Sequence, residues 1–334
     1  MPNFSKICAA TFALVGAQIA ASATAQELKL AHFMSPRHIM QTDMMAPWAE
    51  ELAKASGGRL TVKIFPGSQL GGRPPGQYKL AVDGIADIAF GLQGYTSSIF
   101  PLTTLVELPD FGKDGEQNTQ RLWAIFPKYL SPEYKDVHVL ALWVGDQSIL
   151  MTKSKPIRTI DDLRGMKVRT PSAIQSKVIR ALGGTPIDMP VTEMYNALDR
   201  GVVDALWVPA TTILDFKLNE VVRYYTTGLP STRSPFFLVM NKAKYEALPA
   251  DLRQVLDRTS GKTLSLKATD AFDRRVIEAL NVVKKIGGEV ITLSAQEAGK
   301  WRAALQPMVQ NTIADAEKTG VPAREMLTAA SYFK

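Results

Sequence analysis

Arg169 stands in the stretch LRGMKVRTPS, residues 163–172, at the exit of a segment that reads as a half-buried strand, and Pro171 stops that strand from continuing. A guanidinium offers a planar fork of donors that matches a carboxylate, and each charge-assisted hydrogen bond contributes about 1.5–3 kcal/mol net. The competing use of the same charge is internal, a pair with Asp188 or Glu193. Around it the sequence offers amide side chains, Gln93, Gln147 and Asn241, that can donate or accept at the polar end of a small molecule, although Asn241 serves equally well to end its strand. Trp207, Phe236 and Tyr95 offer large, rigid walls for an apolar body at little entropic cost. Phe236, inside FFLVMN, reads just as well as core.

Chemistry of other kinds is poorly represented. His32, His38 and His138 are the only histidines; they form no H-E-x-x-H and no metal spacing, and each reads as a surface or loop residue. There is no G-x-S-x-G elbow. The glycine-rich GSQLGGRPPG lacks both the Walker pattern and the dinucleotide fingerprint and reads as a flexible loop. Asp161 and Asp162 are explained by capping and macrodipole compensation at a helix N-terminus. No catalytic set emerges, no metal or cofactor is expected, and the balance favours binding over turnover.

The elements that would position these groups come from a chain of 334 residues, 46% hydrophobic and 21% charged, long enough for two domains. Residues 1–25 carry one basic residue, Lys6, an apolar run and Ala23-Thr24-Ala25, an A-x-A cleavage pattern, so they read as a secretory signal with the mature chain starting at Gln26 and exported to the periplasm. The single cysteine, Cys8, falls inside that signal. The formal charge of +7 is dispersed along the chain. It draws small anions modestly, and nucleic acid is not an expected partner.

From Gln26 the order reads βαβαβ, followed by a Pro- and Gly-rich segment, a helix and a buried strand, VHVLALWVG. A second α/β set then starts at SILMTKS and runs through MKVRTP, TPIDMP and VVDALWVP. EVVRYYTTG and SPFFLVMNKAKYEAL read as strand material. Helical periodicity then persists for about forty residues from Leu248, which at ~1.5 Å per residue reaches the length of a two-lobed molecule. The expected architecture is α/β and two-lobed, with a cleft where strand ends and helix N-termini face each other.

DDLRGMKVRTP, then TPIDMPVTEMYNALDRGVVDALWVP, FFLVMNKAKYEALPADLR and GGRPPGQYKLAVDGIADIAFG together resemble the DctP-type solute-binding proteins of tripartite ATP-independent periplasmic (TRAP) transporters, over nearly the whole mature chain. The resemblance implies a Venus-flytrap fold with a long helix spanning both lobes, capture of a small organic acid in the cleft, and delivery to the TRAP membrane permease. It assigns Arg169, in the G-x-K-x-R-x-P segment, to the ligand carboxylate. Two departures stand out: Gln147 replaces a second arginine common in relatives, and Leu206, Trp207 and Val208 replace a polar pair, which makes the cleft less polar. The expectation is a monomeric receptor for a monocarboxylate with an aromatic or otherwise hydrophobic body, lobes of residues 26–144 plus 235–275 and 145–234 plus 276–334, and closure of Ser35, Gln93 and Tyr95 over the ligand. The alternatives are a ligand sensor for a membrane kinase and a periplasmic enzyme on a binding-protein fold.

Overall fold

The computed structural model describes residues 25–333, so the signal-peptide reading of residues 1–25 lies outside the described residues apart from Ala25. Eleven strands are described: β1 (Gln26–Ala31), β2 (Leu60–Phe65), β3 (Ile88–Leu92), β4 (Val137–Val144), β5 (Ser148–Thr152), β6 (Lys167–Thr170), β7 (Thr185–Asp188), β8 (Ala205–Pro209), β9 (Tyr224–Thr227), β10 (Pro235–Asn241) and β11 (Glu289–Thr292). The α-helices are α1 (Ala46–Ala55), α2 (Gln77–Val82), α3 (Gly115–Ile125), α4 (Ala173–Ala181), α5 (Met194–Asp199), α6 (Thr212–Asp215), α7 (Lys242–Glu246), α8 (Ala250–Thr259), α9 (Gly261–Lys285), α10 (Ala295–Lys318) and α11 (Ala323–Ala329).

The strands form two sheets, one in the order β2-β1-β3-β10-β4 and one in the order β11-β9-β5-β8-β6-β7. Parallel pairs β1·β2 and β1·β3 build one side of the first sheet, and β10 enters antiparallel between β3 and β4. Strands covered on both faces lose the apolar/polar alternation and become continuous apolar runs. Accordingly IAFGL in β3 and SILMT in β5 are buried at every position. The chain passes between the sheets three times, through the short link from β4 to β5, through the segment from β9 to β10, and through α7–α9 from β10 to β11.

The forty-residue helical stretch is two helices, not one. Ser260 is extended (φ −114°, ψ −156°) and Gly261 has φ +73°, a backbone that only glycine adopts without strain, so α8 ends and α9 restarts at a bend. The 25 residues of α9 still give a rod of roughly 37 Å. Its first half is pinned to β4 and α3: Ser265 Oγ accepts from Leu142 N–H of β4 at 3.0 Å, and Thr269 shares a hydrogen bond with Thr119 of α3 at 2.9 Å. Its last turns pack near β11 of the other sheet. The KAKYE segment is a short helix after β10, because Asn241 caps it by accepting from Lys244 N–H at 2.9 Å.

Helix α4, next to Arg169, begins where Pro171 and Ser172 direct it. Ser172 is extended and its Oγ accepts from Gln175 N–H at 3.2 Å, an N-cap that fixes the strand-to-helix turn. The DDL turn is held by a capping box in which Asp162 accepts from Thr159 N–H at 3.0 Å.

Candidate functional site

The C-terminal ends of β1, β3, β6 and β8 deliver the chain to one cavity of about 50 Å³, which is where open α/β sheets place ligands. From the first sheet come Phe33, Met34 and His38 beyond β1, with Phe90, Leu92 and Tyr95 on and after β3. The second contributes Arg169 and Pro171, then Val208, Pro209, Thr211 and Thr212 at the end of β8. Asp146 and Ser234 enter from the β4–β5 and β9–β10 crossovers, Phe236 from β10 and Phe272 from α9. Phe236 lies flat on Trp143, ring centroids 5.6 Å apart, and stacks on Phe90 at 5.8 Å, so one ring is both core and wall. Gly145 permits that packing, since a Cβ there would stand 2.7 Å from Cε2 of Phe236.

Arg169 is 1% exposed. Its Nε donates to the Met189 carbonyl at 3.0 Å, the Tyr95 hydroxyl lies beside the guanidinium, and Nη2 is buried with no hydrogen-bond partner among the described residues. The internal pairings are not made. Asp188 accepts from the hydroxyls of Thr170, at 2.7 Å, and Ser176, and Glu193 pairs with exposed Arg73. Burial pulls the guanidinium below its ordinary pKa, opposed by Tyr95 and Asp188. A buried guanidinium with an unused donor in a mostly apolar chamber is chemically suited to pair with an anionic group.

Of the residues singled out in the sequence, Arg169, Tyr95 and Phe236 line this cavity together. Tyr95 is anchored by Val191 N–H, which donates to its hydroxyl at 2.9 Å. Gln93, Gln147, Trp207, Ser35 and Asn241 do not line it. Gln93 donates to the Tyr134 hydroxyl at 2.8 Å, Gln147 to the Leu229 carbonyl at 2.7 Å, and Trp207 Nε1 to Thr232 Oγ1 at 2.9 Å. Ser35 is exposed, its Oγ accepting from Arg37 N–H at 3.2 Å. Trp207 is absent for a geometric reason. Arg169 pairs with Leu206 across β6·β8, so Leu206 and Val208 share its face and Trp207 points to the opposite one.

His38, Asp146 and the threonines after β8 escaped the sequence reading. His32 and His38, expected at the surface or in loops, lie in the loop after β1, but both are buried. The Nδ1 of His38 accepts from Met40 N–H at 3.1 Å, which leaves the proton on Nε2. That nitrogen lies 3.7 Å from Asp215, yet burial, then His32 and Arg275, push His38 down to about 3, so the contact joins a neutral imidazole to a carboxylate. Asp215 is held by Arg275, whose Nε and Nη2 donate to Oδ1 at 3.0 and 2.6 Å, while burial pushes its pKa up to about 6. His38 sits beyond β1, Asp215 beyond β8 and Arg275 on α9, so the trio ties both sheets to the long helix beside the cavity.

Glu107, between β3 and α3, makes a second such tie by accepting from the Ser172 hydroxyl at the start of α4. Burial pushes its carboxyl up to about 8 against the bonds from Ser172 and Gln175. A carboxyl with a raised folded pKa binds more protons folded than unfolded, so stability falls as pH rises from the unfolded value toward the folded one. For Glu107 that window runs from 4.5 to about 8, at roughly 1.4 kcal/mol per pH unit at most. The melting temperature is therefore expected to be higher at pH 6 than at pH 8, with the difference reduced in Glu107→Gln. Calorimetric scans giving identical pH profiles for the two proteins would contradict this.

Three comparisons bear on identity. The family model of bacterial extracellular solute-binding protein, family 7 (DctP), matches residues 30–315. A marine metagenome TRAP solute-binding protein specific for aromatic acid ligands, solved with 3-hydroxybenzoate, superposes with a TM-score of 0.89 at 31% identity, covering 92% of this chain and 97% of that one. A TRAP solute-binding protein from Rhodoferax ferrireducens T118, solved with copurified benzoate, gives 0.88 at 31% identity, covering 91% and 96%. The C4-dicarboxylate-binding periplasmic protein DctP of Rhodobacter capsulatus is 27% identical over 88% of this chain and 92% of its own length. With the two-sheet fold and the buried arginine already in place, these matches establish that the chain belongs to the DctP family of bacterial extracellular solute-binding proteins and is a TRAP transporter solute receptor.

Proposed function

We propose that this receptor captures an aromatic monocarboxylate in the periplasm and hands it, unaltered, to the TRAP membrane permease. The observation that carries the reading is the unpaired, fully buried Nη2 of Arg169 in a chamber walled by Phe33, Phe90, Tyr95 and Phe236. One fixed cation neutralises one carboxylate. A second carboxylate would meet Asp146 and a neutral His38, and an uncompensated charge in so dry a site costs several kcal/mol. Flat apolar walls favour a ring over a polyhydroxylated chain. The 3-hydroxybenzoate and benzoate found in the two related structures support the same class.

The protein acts as a monomer in this reading. Residues 26–144 with 235–275 and residues 145–234 with 276–334 move as the two lobes, and the ligand drives closure because it touches both. A thermal-shift screen of benzoate, phenylacetate, hexanoate, succinate and glucuronate tests the proposal. A ligand at 100 times its dissociation constant stabilises by about 2.7 kcal/mol. Benzoate or phenylacetate is expected to give the largest shift, and a larger shift with succinate or glucuronate overturns the assignment.

A further inference from the structure

The polar groups facing the cavity are unequal in kind. Arg169 Nη2–H is an unused donor, His38 Nε2 lies 3.7 Å from Asp215, and the Ser234 hydroxyl already accepts from Gln175 Nε2 at 2.9 Å, so its own proton is free to donate. The Thr212 hydroxyl is spent on the Pro209 carbonyl at 2.6 Å. Against these donors Asp146 is the one acidic side chain in the wall among the described residues, and it is 3% exposed. Its carboxyl accepts from Thr211 N–H at 3.2 Å and Thr211 Oγ1 at 3.0 Å, which fixes its orientation and leaves acceptor capacity unused. A ligand carboxylate satisfies donors and does nothing for this acceptor.

We infer that Asp146 is a specificity-determining residue that accepts a hydrogen bond from a hydroxyl on the ligand, so that the preferred ligands are hydroxylated aromatic monocarboxylates. The inference rests on the proposed reading of the cavity as a monocarboxylate site and adds a second polar requirement to it. Burial supports it: despite the bonds from Thr211 and the nearby Arg233, desolvation pushes Asp146 up to about 7. A carboxylate buried this deeply, with lone pairs to spare beyond these bonds, gains from one more donor. The charged and titratable groups around it are Arg233 from the β9–β10 crossover, and Arg169, His38 and Tyr95 in the cavity wall. His38 stays neutral, so between pH 6 and pH 8 the group that changes charge in the wall is Asp146.

Calorimetric titration of the full-length mature protein with benzoate, 3-hydroxybenzoate, 4-hydroxybenzoate and the two matching methoxybenzoates tests this. At least one hydroxybenzoate is expected to bind about tenfold tighter than benzoate, and its methoxy counterpart, which keeps the oxygen without the donor, to lose that gain. The ratio of hydroxybenzoate to benzoate affinity rises from pH 6 to pH 8 as Asp146 ionises, loses that pH dependence in Asp146→Asn, which keeps an acceptor but no charge, and collapses toward one in Asp146→Leu, which has no acceptor, whatever the absolute affinities do. Equal affinity for benzoate and every hydroxybenzoate, or a hydroxyl preference that persists in Asp146→Leu, overturns the role of Asp146 while leaving the aromatic monocarboxylate reading standing. Failure of all five acids to bind overturns both.

Discussion

Replacing Arg169 by glutamine is expected to weaken binding of the best monocarboxylate by two to three decades. The ligand carboxylate would be left buried without its counter-charge, a loss of roughly 3–5 kcal/mol. Arg169→Lys restores the charge without the planar fork and should fall between the two. The same glutamine variant is expected to melt at least as high as the parent when no ligand is added, because a buried cation with an unused donor has been exchanged for a neutral amide. Titration calorimetry and thermal melts on one preparation read both effects. A loss of affinity below tenfold, or a variant that both binds and melts poorly, would show that Arg169 acts through structure and not through the ligand.

The second large effect concerns stability. Asp215 is wholly buried at its side chain and leans on Arg275 through two hydrogen bonds. Arg275→Ala leaves that carboxylate uncompensated, and breaking a buried pair from one side costs about 3–5 kcal/mol. The cost has a pH signature. Asp215 already titrates near 6, and without Arg275 it rises further, so the variant escapes part of the penalty by taking up a proton. Urea unfolding should therefore show a large deficit at pH 8 and less than half of it at pH 5.5. The double variant Arg275→Ala with Asp215→Asn should recover most of the loss at pH 8. A deficit equal at both pH values would mean that packing against Arg275, not charge, holds this contact.

Arg169 was legible in the sequence because local signals converge on it: a strand, a proline that ends it and a serine that caps the next helix all lie within four residues. Tyr95 and Phe236 were legible by type, as aromatics near predicted strand ends. Trp207 shows why type alone misleads. Facing along a strand alternates residue by residue, so the choice between Trp207 and Val208 depended on the register of β8 against β6, a long-range fact. Gln147 was chosen as the counterpart of an arginine in relatives, whereas its neighbour Asp146 turns inward and Gln147 is drawn off to Leu229. His38 offered no spacing to read, since Asp215 and Arg275 reach it from elements far away in the chain. The sheet pattern was readable from apolar runs, while the bend at Gly261 was masked by periodicity that continues on both sides of it.

Asp146 and Ser234 lie on the β4–β5 and β9–β10 crossovers, not on the rims of the sheets. In a hinged receptor the crossovers are the pivot, and atoms on a pivot travel little while those on the rims sweep through the full arc. A ligand group that engages Asp146 or Ser234 therefore meets nearly the same partner before and after the jaws swing shut, and such a contact tightens capture without pulling the jaws together. On the proposed closure, Tyr95 on one jaw and Arg169 on the other supply the leverage. On that reading two tasks separate along one small cavity: the axle tunes which ligand is preferred, and the arms grip it.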